Sequence, residues 1–161
     1  MFPVVVGIDG SKASECALRW ALPIAKAIGA PVRAVTIVPP AGWPVSTEAG
    51  GWYAVDLAAA ELDARARLDR TVGAAVGAEE RWAIEREVRT GAAAHLLVDE
   101  SARASMVVIG SRRRSALARL LDGSIQSTLL RHASCPVVVV PEHHETAAVT
   151  ASIDRALALA G

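Results

Sequence analysis

Val4-Val5-Val6-Gly7-Ile8-Asp9-Gly10-Ser11 is a β-branched run that breaks off at an acidic residue, a glycine and a serine. No polar residue alternates with its valines, and that continuity is what a strand buried on both faces requires. Residues 12–28 follow at once; they are rich in alanine and stop at Gly29-Ala30-Pro31, a helix-end signal. A strand that feeds directly into a helix is the first half of a βαβ unit, and the pattern repeats along the chain. Further β-branched runs occur at residues 32–38, at Met106-Val107-Val108-Ile109 and at Val137-Val138-Val139-Val140. A weaker run over residues 82–88 alternates apolar and charged side chains, as a half-exposed strand does. Helical segments fill the gaps at residues 53–76, 92–103 and 124–132. The first of these places Leu57, Ala64, Leu68 and Val72 on one face, with Glu61–Arg65 and Asp63–Arg67 as i,i+4 pairs on a solvated one. Pro23 is expected to bend the helix of residues 12–28, because its ring and missing N–H disturb the preceding turn.

The predicted order is β-α-β-α-β-α-β-α-β, the signature of an α/β fold. It implies a five-stranded parallel sheet with right-handed crossovers and helices on both faces. Two stretches stand outside the alternation. Residues 39–51 hold three glycines and three prolines and read as a loop long enough to act as a flap over a site. After Pro141, the hinge Glu142-His143-His144-Glu145 leads into an alanine-rich terminal helix at residues 146–160. The division is therefore a domain at residues 1–141 and a helical tail at residues 142–161.

Composition narrows the function. The 161 residues include 17 lysines and arginines against 17 aspartates and glutamates, for a formal net charge of zero. Binding to nucleic acid or anionic membrane by bulk charge is thereby excluded. Aromatic residues make up only 4%, too few for a stacking platform on single strands. Cys16 and Cys135 form no CxxC pair and no disulfide framework, so a reducing, cytoplasmic setting is expected. No apolar run approaches the roughly 20 residues of a membrane helix, and residues 1–8 do not resemble a leader.

A doubly wound sheet binds ligands beyond the carboxyl ends of its strands, where the strand order reverses. Two segments suit that position. One is Asp9-Gly10-Ser11 at the end of the first strand. The other begins at Gly110, runs through Ser111-Arg112-Arg113-Arg114-Ser115 and reaches Asp122-Gly123-Ser124. The same Asp-Gly-Ser triplet thus opens two helices, with Ser11 and Ser124 as N-caps. Backbone N–H groups at such helix starts suit a phosphate, although simple capping without a ligand accounts for the triplets equally well.

Gly110-x-x-Arg113, then nine residues, then Gly123-Ser124, with His132-Ala133-Ser134-Cys135-Pro136-Val137 behind them, resembles the universal stress protein family. Val6-Gly7-Ile8-Asp9-Gly10-Ser11 with Ser14, Ala17, Leu18 and Trp20 is similar to that family's amino terminus. The resemblance implies a Rossmann-like fold of the adenine nucleotide alpha hydrolase-like type, binding ATP or a related adenine nucleotide, with or without Mg2+. It places Asp9 beside the adenosine and Val38 against the adenine through its backbone. Ile109, Gly110, Ser111, Arg113, Gly123, Ser124 and Ile125 would surround ribose and phosphates. It further implies a homodimer through the edge strand Val137-Val138-Val139-Val140, with a monomer whose tail covers that edge as the competing arrangement.

One position departs from the pattern. Where the family carries a second glycine this chain has Arg113, and two outcomes follow. Either the phosphate loop is closed and the chain is a nucleotide-free dimeric interaction module, or Arg112, Arg113 and Arg114 supply charge-assisted contacts to phosphate. Catalysis has little material. The chain has no Gly-x4-Gly-Lys-Ser/Thr loop, no Gly-x-Ser-x-Gly and no His-Glu-x-x-His, and its only lysines are Lys12 and Lys26. Turnover is expected to be absent or slow. Asp9 with Asp56 or Asp122 would serve only to hold magnesium beside bound phosphates. His143-His144 lack a third ligand and read as a solvated hinge rather than a metal site. His95 reads as a packing or surface residue, and His132 as a cation at a helix end.

Overall fold

A computed structural model describes residues 1–42, 44–46, 52–54, 56–77, 83–111 and 125–142, with backbone alone for 44–46 and 52–54. Its elements in chain order are β1 (Val4–Gly7), α1 (Lys12–Ile28), β2 (Val32–Val38), β3 (Pro44–Ser46), β4 (Trp52–Ala54) and α2 (Leu57–Ala75). They continue as β5 (Ile84–Thr90), α3 (Ala93–Ser101), β6 (Met106–Ser111), α4 (Ile125–His132) and β7 (Val137–Pro141). The main sheet has the order β5-β2-β1-β6-β7 and every pairing in it is parallel. The expected α/β architecture is therefore present.

The side-chain alternation of β1 explains the layering. Val4, Val6 and Ile8 point to one face and join Ala17, Leu18, Ala21 and Ala25 of α1 with Leu68 and Val72 of α2. Val5 points to the other and joins Leu97 of α3 and Leu129 of α4. All three β1 valines are fully buried, as a central strand covered on both faces must be. The α1 helix suits its place through alanines, which let it lie close to the sheet, and it runs unbroken through Pro23. Gly29 ends it in the left-handed region at φ 67°, donating its N–H back toward Lys26.

Among the boundaries that differ from the sequence expectation, three bear on the layout, one set by a local cap and two by strand pairing. The weak strand lies at Ile84–Thr90 rather than 82–88, because its seven residues pair with all seven of β2, Val32 against Ile84 through Val38 against Thr90. The helix expected from residue 53 begins at Leu57. There the Asp56 carboxylate caps the N–H groups of Ala58 and Ala59, while Tyr53 belongs to β4. The loop expected at residues 39–51 includes β3, paired antiparallel with β4. Of the tail expected at residues 142–161, all but Glu142 lies outside the described residues.

The two sheet edges differ in chemistry. Edge strand β5 carries Glu85, Arg86, Glu87 and Arg89, and Arg33 of β2 bridges Glu85 at 2.9 Å and Glu100 of α3 at 3.2 Å. Arg89 meets the same Glu100 carboxylate. The hydrogen bond to Glu85 is the main reason that the Arg33 guanidinium holds its proton even more firmly than usual. Such a charged edge resists pairing with another strand. The opposite edge, β7, offers four valines. Behind β7, burial pushes the Cys135 thiol up from its ordinary pKa, so it remains a neutral packing group. Both cysteines are free and half-buried. No described helix is long and apolar enough to cross a membrane.

Candidate functional site

The strand order reverses beside β1. The chain leaves β1 through α1 toward β2 on one side, and leaves β6 through α4 toward β7 on the other. Gly7 pairs with Val35 of β2 and with Ile109 of β6. Parallel pairing in that register brings three exits to one end of the sheet: Val38 from β2, Asp9-Gly10-Ser11 from β1 and Gly110-Ser111 from β6. This rim is where a doubly wound sheet opens a crevice.

At the β1 exit the triplet folds as the sequence predicts. Ser11, with extended backbone, caps α1 by accepting the Ser14 N–H at 3.2 Å. The Asp9 carboxylate accepts both the N–H and the hydroxyl of Ser11, so it is held upright at the turn. Gly10 takes φ 81°, a conformation that a side-chain-bearing residue rarely adopts. Glu15, buried in the same helical turn, is neutralised by Lys12 and Arg19. Opposite charge is thus already matched inside α1, and the helix start keeps its positive dipole end.

Gly110 has a different reason to be glycine. Its φ is not in the left-handed region. Instead, a Cβ placed there would collide with the backbone carbonyl of Ala13 and come within 2.6 Å of the Ser14 nitrogen. The β6 exit and the first turn of α1 therefore touch backbone to backbone, and only a residue without a side chain fits between them. Gln126, in the first turn of α4, reaches back to the Gly110 carbonyl at 3.5 Å.

Other predicted residues are placed as follows. Val38 is buried, and its carbonyl already accepts the Gly91 N–H at 2.9 Å. The side chain of Ile109 is buried in the core on the α3/α4 face. Ser111 is buried, and its carbonyl accepts the Glu142 N–H at 2.9 Å. Ile125 opens α4 and is exposed. His95 is exposed on α3, and His132 lies in the last turn of α4. Asp56 serves as a cap. Arg113, Gly123, Ser124 and Asp122 lie outside the described residues. Sequence pattern assigns neither Gln126 nor Arg67 to the rim; it reads Arg67 only as half of a solvated pair with Asp63. The Arg67 stem packs on Gly10, its Cδ 3.2 Å from where a Cβ would stand.

The rim sits in a domain that comparison with known proteins identifies. The model of the Universal stress protein family matches residues 1–141. The chain belongs to that family. Among the relatives of this universal stress protein is one from Mycolicibacterium smegmatis, 35% identical over 144 residues, which cover 86% of this chain and 48% of the relative. Another, from Mycobacterium tuberculosis, is 35% identical over 144 residues, 85% of this chain and 47% of its own. The chain spans about half the length of the curated relatives it matches. Among solved structures, a universal stress protein in complex with cAMP aligns with a TM-score of 0.54 and 26% identity, over 88% of this chain and 98% of that one. A family member from Burkholderia pseudomallei aligns with a TM-score of 0.54 and 26% identity, over 86% and 94% of the two chains.

Proposed function

We propose that this universal stress protein binds ATP or a related adenine nucleotide at the carboxyl rim and acts as a dimeric binding and signalling module. The observation that carries the reading is the convergence of Asp9-Gly10-Ser11 and Gly110 beside a capped helix start. Val38, Asp9 and Gly110 leave three successive strands, which stand about 4.8 Å apart. Their span of roughly 10 Å suits a nucleoside with its first phosphate. The base would lie toward Val38 and Asp9, with Ile109, Gly110, Ser111, Arg113, Gly123, Ser124 and Ile125 around ribose and phosphates. The relative in complex with cAMP supports an adenine nucleotide as the ligand class. Magnesium, where present, would accompany the phosphates, and turnover would be incidental.

The dimer would form through β7. Of the two sheet edges, β5 is lined with charge and β7 with valine, so β7 is the edge fit to pair with a second copy. A second reading rests on Arg113 in place of the motif glycine: a nucleotide-free interaction module.

Calorimetric titration with ATP, ADP and AMP, with and without magnesium, decides between the two readings, and light scattering on the same samples gives the mass. Heat of binding, thermal stabilisation and a dimer mass are expected. The absence of both heat and stabilisation at millimolar nucleotide would refute nucleotide binding, and Arg113→Gly should then restore it if the second reading holds. A monomer mass would remove the β7 interface.

A further inference from the structure

Arg67 belongs to α2, far from any motif, yet its Cβ, Cγ and Cδ lie 3.2–3.8 Å from the position that a Cβ on Gly10 would take. The helix runs down the sheet beside β5. Glu61 accepts the Thr90 hydroxyl at 3.1 Å near the rim, and Asp69 meets Arg86 at 3.5 Å one helical stretch lower. From that height Arg67 reaches sideways over the β1 exit, on the face of the sheet that α1 and α2 cover. Among the described residues its guanidinium pairs only with Asp63, at 3.3 Å through Nε, and Asp63 is itself 62% exposed. That Nε is shut off from solvent, and apart from its ion pair with Asp63 it has no hydrogen-bond partner among the described residues. A pair this exposed holds its partners weakly, whereas the stem is fixed by its seat on Gly10. The result is an arginine whose stem is fixed beside the Asp9 turn, on a helix that packs against β2 and β5.

We infer that Arg67 contacts the purine base of a nucleotide seated at the rim, its guanidinium plane lying against the ring. The inference rests on the nucleotide reading above and adds a base-recognising residue to it. A guanidinium is well suited to this because it is flat, weakly hydrated and attracted to an aromatic face. Gly10 is part of the same device. Any side chain there would lift the arginine stem away from the turn.

The test uses the whole chain, titrated with adenosine, AMP and ATP as wild type, Arg67→Met and Arg67→Lys. Methionine keeps methylenes over Gly10 and removes the charged plane, so the ligand-free melting temperature serves as the control and should stay unchanged. Affinity in Arg67→Met should fall about fivefold, by the same factor for all three ligands. Lysine, which keeps charge without the plane, should recover little of it. Unchanged affinity, full rescue by lysine, or a loss that grows with the number of phosphates would overturn a role at the base. A wild type that binds none of the three ligands would overturn the nucleotide reading itself.

Discussion

Gly110→Ala is expected to lower the unfolding free energy by about 3 kcal/mol. The added methyl has nowhere to go, because its neighbours are the carbonyl of Ala13 and the nitrogen of Ser14, both backbone atoms of the α1 first turn. A flexible side chain would swing aside, but a capped helix start cannot. Either β6 or α1 must move, and each is packed into the core through residues that are almost wholly buried: Val107 and Val108 on one side, Ala13 and Ala17 on the other. For a domain of this size the loss corresponds to roughly 6–12 °C in melting temperature. Urea denaturation of the two proteins measures it directly. A change within about 0.5 kcal/mol, the usual range for surface substitutions, would show that strand and helix are not in backbone contact. The same separation would widen the rim, so nucleotide affinity should fall together with stability.

Leu129→Ala should cost about 3 kcal/mol, within the range for large-to-small changes at fully buried sites. Leu129 has no exposed surface and is the one large buried apolar residue of α4. It packs into the cluster of Val5, Val35, Leu97, Ala104, Val107 and Ile109. The other large apolar residues of that helix, Ile125 and Leu130, are 42% and 49% exposed. Truncation would therefore remove the principal anchor of an eight-residue helix and leave a cavity between it and the sheet. Amide hydrogen exchange should reveal faster opening confined first to α4 and the Gln126 contact with Gly110. Uniform loss of protection across the sheet would contradict this local picture.

Much of the architecture was legible because its signals are local. Unbroken valine runs marked strands covered on both faces, and β1, β2, β6 and β7 all fall where those runs lie. Alanine-rich stretches ending in glycine marked α1, and Ser11 was recognisable as its cap because a capping hydroxyl acts on an amide only three residues away. The edge position of β7 followed from chain order. The coincidence of Asp9 and Gly110 at one rim followed from parallel connectivity.

The rest depended on which distant residues meet. The ends of β5 are set by β2, its partner in the ladder, so the alternating pattern located the strand but misplaced it by two residues. The β3–β4 pairing falls where a loop and the start of a helix were expected, between segments that carry no strong strand signal. Gly110 was chosen as a ligand-facing glycine, but the structure shows that the α1 backbone alone already demands one there. The Asp63–Arg67 pair was read as a solvated surface feature. It survives at 3.3 Å, yet the arginine stem lies on Gly10, on another element altogether. Periodicity reports which face of an element is apolar. It carries no information on how closely two backbones approach or which long side chain crosses between layers, because these depend on how whole elements pack in three dimensions.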